Sequence, residues 1–99
     1  MRNFHHPETD ALNLAEVLGA LGDPTRLAIV RKLAAAESMS CGDVCCNTPR
    51  STLTHHLRIL REAGVIHTTK QGQTHLNALR TKDLNARFPK LLDTVLKLG

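Results

Sequence analysis

Tryptophan and tyrosine are absent from the 99 residues, and only two phenylalanines are present. A core without aromatics has to be built from Leu, Ile, Val and Ala, which suits packed helices. Long apolar runs are missing too. None approaches the ~20 residues of a membrane-spanning helix. The segment Met1-Arg2-Asn3-Phe4-His5-His6 has no apolar stretch of the kind a secretory signal carries. A cytoplasmic protein is expected. Gly-rich phosphate loops, nucleophile elbows and paired carboxylates are also missing, and so small a domain has little room for a deep pocket, so no enzyme is expected. A chain of this length forms one domain and buries only about 60–65% of its unfolded surface, so dimerisation is a natural way to complete it.

Acidic residues are scarce in one stretch. The whole chain has 13 basic and 9 acidic residues, a net charge of +4. Between Thr48 and Arg80 stand Arg50, Arg58, Arg61, Lys70 and Arg80 against Glu62 alone, which is again +4, and the rest is neutral. A local basic excess fits a nucleic-acid surface and equally fits a solvated basic face.

Cysteines number three, Cys41, Cys45 and Cys46, within six residues. An odd, clustered count is not a secreted disulfide framework. It agrees with a reducing compartment.

Residues 1–8 are polar, contain Pro7 and read as a flexible arm, with one domain over 9–99. A first helix is expected from Thr9 or Asp10, with Ala11, Leu14, Ala15, Leu18 and Leu21 on its inner stripe. Leu12 and Val17 lie off that stripe, and a short helix with two apolar faces suits a partner chain. Gly22-Asp23-Pro24 is a stop and a start, with Asp23 as N-cap and Pro24 at N1. The second helix should run to about Ala36 and bury Leu27, Val30, Leu33 and Ala34. Ser40-Cys41-Gly42-Asp43 approximates a capping box and opens a short third helix ending near Asn47.

Thr48-Pro49 repeats the cap-plus-proline signal for a fourth helix over about 49–63, ended by Gly64. Leu53, Leu57 and Leu60 face inward with His56 on the flank, where packing and hydrogen bonding are its expected roles. The opposite face holds Ser51, His55, Arg58 and Glu62, flanked by Thr52, Thr54 and Arg61. Such groups bond to phosphates and base edges. Two β-prone runs follow, Val65–Lys70 and Gln73–Leu79, around a Gln71-Gly72 turn, a hairpin over about 65–79. A turn at Lys82–Ala86 and a helix from Pro89 to Leu98 end the chain. Leu84, Phe88, Leu91, Leu92, Val95 and Leu96 are too many for that helix to bury in its own domain, which points to a dimer interface with the first helix.

The fold class is therefore mainly α with a small β-hairpin: a winged helix-turn-helix, dimeric through its first and last helices. Leu21-Gly22-Asp23-Pro24-Thr25-Arg26-Leu27, paired with Ser51-Thr52-Leu53-Thr54-His55-His56-Leu57-Arg58-Ile59-Leu60-Arg61-Glu62-Ala63-Gly64-Val65 and the Gly72 hairpin, closely resembles the ArsR/SmtB family of winged-helix repressors. The resemblance covers about Asp10 to Leu98. It implies a homodimer on a palindromic operator, with the helix from Pro49 to Ala63 in the major groove, each wing on neighbouring backbone or minor groove, and half-sites roughly 34 Å apart. It also implies release of a promoter when an inducer binds.

Base-edge contact is assigned to Arg50, Ser51, Thr52 and His55, near the start of that helix. Arg50 leads because its fork reads guanine O6 and N7 together. Thr54, Arg58 and Lys70 are placed for phosphates, and Gln73 sits with Lys70 at the wing tip. Ser51 has an alternative role in capping the helix, and Arg58 and Arg61 as plain surface charges.

Metal-sensing relatives place ligands on a Cys-x-Cys third helix or on the last helix. Here the last helix has Asp83 and Asp93 without histidine, which disfavours the second kind of site. Cys41-x-x-x-Cys45-Cys46 departs from Cys-x-Cys. Three readings stay open: small core residues, a redox switch led by Cys41 at a helix start, or a site for a soft ion such as As(III), Cd(II), Cu(I) or Zn(II). His5 and His6 are possible added ligands, and His67 and His75 are expected to face each other across the hairpin. The main alternative for the whole chain is a small cysteine-based redox or metal-carrier protein that does not bind DNA.

Overall fold

The computed structural model describes residues 6–40 and 48–98. The expected third helix and all three cysteines lie outside the described residues, as does His5. A 3-10 turn at Thr9–Ala11 leads into α1 (Leu14–Leu21) and α2 (Pro24–Ala34). Then come β1 (Met39–Ser40), α3 (Arg50–Ala63), β2 (Ile66–Gln71), β3 (Thr74–Leu79), α4 (Thr81–Arg87) and α5 (Leu91–Leu98).

The first helix begins later than expected. Its cap is Asn13, whose side chain accepts the Glu16 N–H at 3.1 Å, rather than Thr9 or Asp10. Its orientation differs as well. Leu12, Val17, Ala20 and Leu21 are buried, while Leu14 and Leu18 are 46% and 44% exposed. The segment is apolar nearly all round, so spacing alone could not say which side meets its own core.

Asp23 caps α2 as expected, accepting from the N–H groups of Thr25 and Arg26 at 2.9 and 3.1 Å. These bonds, first that of the Arg26 N–H, hold the Asp23 carboxyl below the usual carboxylate range. α2 stops at Ala34. It buries Ile29, Val30 and Leu33, leaving Leu27 half-buried and Ala34 exposed.

α3 starts at Arg50, because Pro49 itself occupies the N-cap position with extended backbone (φ −55°, ψ 144°) instead of the first helical turn. Leu53, Leu57, Leu60 and Ala63 face the core. Gly64 ends the helix in the left-handed region at φ 88°, and the Val65 N–H reaches back to the Leu60 carbonyl at 2.9 Å. That turn points Val65 and Ile66, both fully buried, into the core at the root of the hairpin.

The hairpin is closed by Gly72 and Gln73, one residue beyond the expected turn, with Gln71 opposite Thr74. Gly72 takes φ 61° at the first loop position, where a type II′ hairpin requires glycine. Sequence reasoning missed β1. It pairs with β3 to give a three-stranded antiparallel sheet in the order β1-β3-β2. Two residues are too short a run to carry a strand signal.

α4 and α5 are separated by Phe88, Pro89 and Lys90, and the last helix begins two residues later than expected. Leu84 and Leu92 are buried; Phe88, Leu91, Val95 and Leu96 are only partly covered, and Leu98 is largely exposed. The segment before α1 is clasped to this end of the chain. Thr9 Oγ1 donates to Asp83 at 2.8 Å, Arg80 Nη1 to the Pro7 carbonyl at 2.8 Å, and Arg87 Nε to the Leu12 carbonyl at 3.2 Å. Residues 6–8, read from sequence as part of a flexible arm, are thus attached to the domain.

Candidate nucleic-acid interface

α3 is amphipathic for a reason visible in its sequence. The residues at 53, 57 and 60 fall on one side and are leucines, so the other side faces solvent. Arg50, Ser51, Thr52, Thr54, His55 and Arg58 are all exposed, and so is Glu62. The helix thus presents two guanidinium groups, three hydroxyls and an imidazole on one surface. Ser51 lies inside the helix, not at its cap position. Its capping alternative does not apply.

The wing adds a second polar surface. Lys70, Gln71, Gly72, Gln73 and Thr74 are exposed around the hairpin tip. The sheet holds the tip through Thr68 and Asn77, buried cross-strand partners joined by a 2.9 Å hydrogen bond. Asn77 Nδ2 also donates to the Met39 carbonyl at 3.4 Å, so one side chain ties all three strands. Neither residue stood out in the sequence. A polar pair inside a strand becomes legible only when register is known.

Not every basic residue of the charged stretch belongs to this surface. Arg80, counted above in the local excess, is a structural residue. Its side chain is 8% exposed and pairs with Asp83 at 3.0 Å. The Thr9 hydroxyl, and after it Arg80, holds the Asp83 carboxyl below the usual range.

His67 and His75 do not face each other. His67 is opposite Ala78 and His75 is opposite Lys70, which puts the two imidazoles on opposite faces of the hairpin. His67 instead stacks on His6, with ring centroids 3.9 Å apart, and His6 Nε2 accepts the Thr68 N–H at 2.9 Å. Among the described residues, no group of three or more His, Cys, Asp or Glu side chains gathers as a metal site would.

His56 takes the packing role expected of it. It is half-buried, with Nδ1 3.1 Å from Arg26 Nη1. Sequence reading missed Arg26, although it stands inside the Gly-Asp-Pro-Thr-Arg motif. No helix among the described residues is long and apolar enough to cross a membrane.

Residues 21–69 match the family described as a helix-turn-helix domain. The chain is 37% identical over 84 residues to YceK of Bacillus subtilis (strain 168), an HTH-type transcriptional regulator, covering 82% of this chain and 84% of that one. It is 42% identical over 60 residues to the HTH-type transcriptional regulator MJ1325 of Methanocaldococcus jannaschii, covering 59% and 67% of the two chains. Among solved structures it is similar to an ArsR-like transcriptional regulator from Rhodococcus sp. RHA1, with a TM-score of 0.68, 25% identity, and 86% and 81% of the chains covered. All three are described as transcriptional regulators. Sequence, fold and relatives converge: the chain belongs to the HTH-type transcriptional regulators, with a winged helix-turn-helix fold like that of ArsR-type regulators.

Proposed function

We propose that the protein is a repressor that binds a palindromic operator as a homodimer, with α3 in the major groove and the β2–β3 wing on the adjoining backbone. The observation that carries this reading is the polar face of α3: Arg50, Ser51, Thr52, His55 and Arg58 all stand exposed on a helix whose other side is buried. Arg50, Ser51, Thr52 and His55 take the base edges, and Thr54, Arg58, Lys70 and Gln73 the backbone. Leu14 and Leu18 on α1, with the partly covered Leu91, Val95 and Leu96 on α5, supply the apolar surface for a second copy. A two-fold dimer explains why so small a domain leaves leucines in water.

The inducing signal is assigned, from sequence alone, to Cys41, Cys45 and Cys46, through thiol oxidation or through a soft ion such as As(III), Cd(II), Cu(I) or Zn(II).

The test selects DNA from a random pool with the purified protein, then titrates the selected duplex at rising salt. Repression by this surface requires a two-fold symmetric site and affinity that falls steeply with salt as counterions are released. No selected sequence, or binding indifferent to salt, overturns it. Diamide and the soft ions are then added to parent and to a protein with all three cysteines changed to serine. Release that persists in the serine protein removes the thiols from the signal.

A further inference from the structure

Arg26 joins three helices through one side chain. It stands in the first turn of α2, where Asp23 fixes its backbone N–H. Its Nε donates to the Ala20 carbonyl at 2.6 Å and its Nη2 to the Gly19 carbonyl at 3.3 Å, both at the end of α1. Its remaining arm, Nη1, points at His56 Nδ1 on α3, 3.1 Å away. A guanidinium can only donate. The contact to His56 is therefore a hydrogen bond only while Nδ1 carries a lone pair, which means a neutral ring with its proton on Nε2.

We propose that Arg26 is a positioning residue for operator recognition, seating α3 through His56, and that protonation of His56 unseats that helix and weakens DNA binding. This rests on the reading of α3 as the recognition helix. His56 directly precedes the core residue Leu57 and directly follows His55, which faces outward. A shift at His56 is thus transmitted to the residues assigned to bases.

The charged and titratable groups that face His56 among the described residues are Arg26 and Asp23 of α2 and, on its own helix, His55, whose ring centroid is 5.7 Å away. From α1, the Ala20 and Gly19 carbonyls that hold Arg26 come into this cluster. A proton on Nδ1 would set a second donor and a second positive charge against Arg26. The Asp23 carboxylate offsets part of that repulsion but cannot restore the lost acceptor. His55 lies on the exposed face of α3 and is common to every variant. Comparing variants at one pH cancels the His55 contribution.

The experiment measures affinity for the selected duplex by fluorescence anisotropy between about pH 8 and pH 5.5, the interval over which histidines usually titrate. The proteins are the parent, His56→Asn and His56→Leu, with far-UV circular dichroism at each pH confirming that each is folded. Asn places Oδ1 near the position of Nδ1 and does not titrate. His56→Asn should bind within about threefold of the parent at the high end, while His56→Leu, which has no acceptor, should bind about tenfold more weakly. On acidification the parent should lose about tenfold more affinity than His56→Asn, and binding to random DNA should change alike in both.

Parallel pH profiles for the parent and His56→Asn overturn the proposal, as does His56→Leu binding like the parent. A second measurement needs no variant. Nitrogen-15 NMR of the parent near pH 8 should show an unprotonated Nδ1 on His56, and a protonated one overturns the proposal directly. If the parent selects no DNA at all, it is the repressor reading that has failed, and the NMR result still decides the Arg26–His56 bond.

Discussion

Thr68 Oγ1 donates to Asn77 Oδ1 at 2.9 Å across the wing, and both residues are buried. The same Asn77 reaches the Met39 carbonyl on the third strand. A slip of one residue in either strand pairing would turn Asn77 out of the core, so this polar contact fixes the register that sets the wing tip. Thr68→Val leaves the Asn77 amide short of a partner. Asn77→Leu leaves both Thr68 and Met39 short. Each substitution should cost about 1–3 kcal/mol in urea denaturation. The double variant Thr68→Val/Asn77→Leu should cost less than the sum, because each single change strands the other group. Strict additivity would show that the two side chains are not coupled.

Gly64 is where α3 hands over to the β2–β3 hairpin. Its φ of 88° is strained for any residue with a Cβ, and a Cβ there would collide with Leu12 Cδ2. Gly64→Ala should therefore destabilise the fold by about 1–3 kcal/mol. Gly72→Ala, also at positive φ but with open space around it, should cost less. The comparison of urea midpoints checks this. Equal losses would mean that the Leu12 contact adds nothing.

Sequence legibility tracks how local each signal is. Asp23 capping α2, Gly64 ending α3 and Gly72 closing the hairpin were all readable, because each depends on a few neighbouring residues. The leucine face of α3 was readable because its other side is plainly polar. α1 was read with the wrong side inward, since Leu14, Val17, Leu18 and Leu21 surround it and only the packed domain selects Val17 over Leu18. Arg26, Arg80 and Asn77 escaped notice for another reason. Beside nearer contacts such as Arg80 with Asp83, each has a partner far along the chain, 30, 73 and 38 positions away, at His56, Pro7 and Met39. Of the proposed interface, the exposed face of α3 was legible in full, whereas the structural role of Arg80 in the basic stretch was not.

Asp83 links acid stability to the segment before α1. Its carboxyl is held below the usual range by the Thr9 hydroxyl and then by Arg80, so its ionised form is favoured in the folded chain. The group contributes stability at pH values above the unfolded carboxylate pKa of about 4, and that contribution is lost as pH falls through the lower folded value. Its side chain is 38% exposed, so solvent screens the pair and the contribution should stay below about 1 kcal/mol. Urea midpoints should converge for the parent and Asp83→Asn as pH falls toward 3, with the parent ahead at pH 6. Asp23 titrates in the same window and is common to both proteins. A gap that widens in acid would contradict this account.

The exposed leucines of α1 give a direct test of the proposed dimer. Leu18 is 44% exposed on a helix whose opposite side is buried, so a charge there leaves the domain's own core intact. Leu18→Glu should retain the far-UV circular dichroism of the parent while its sedimenting mass falls to that of one chain. It should also bind the full two-fold site much more weakly than the parent, because the two half-sites are no longer engaged together. A Leu18→Glu protein that still sediments as the parent does would place the interface elsewhere.

Arg50 and Lys70 are both exposed cations, one at the start of α3 and one on the wing, and the proposed interface gives them different tasks. An arginine that reads guanine distinguishes sequences, whereas a lysine that meets phosphate does not. Arg50→Ala should cost about 1–3 kcal/mol on the selected duplex, relax the preference at one base pair, and leave random DNA little affected. Lys70→Ala should weaken selected and random DNA alike and reduce the slope of log affinity against log salt by about one. Titrations of both variants on both duplexes at several salt concentrations separate these outcomes. If Arg50→Ala weakens all DNA equally, Arg50 is a backbone contact, and sequence reading passes to Ser51, Thr52 and His55 on the same face.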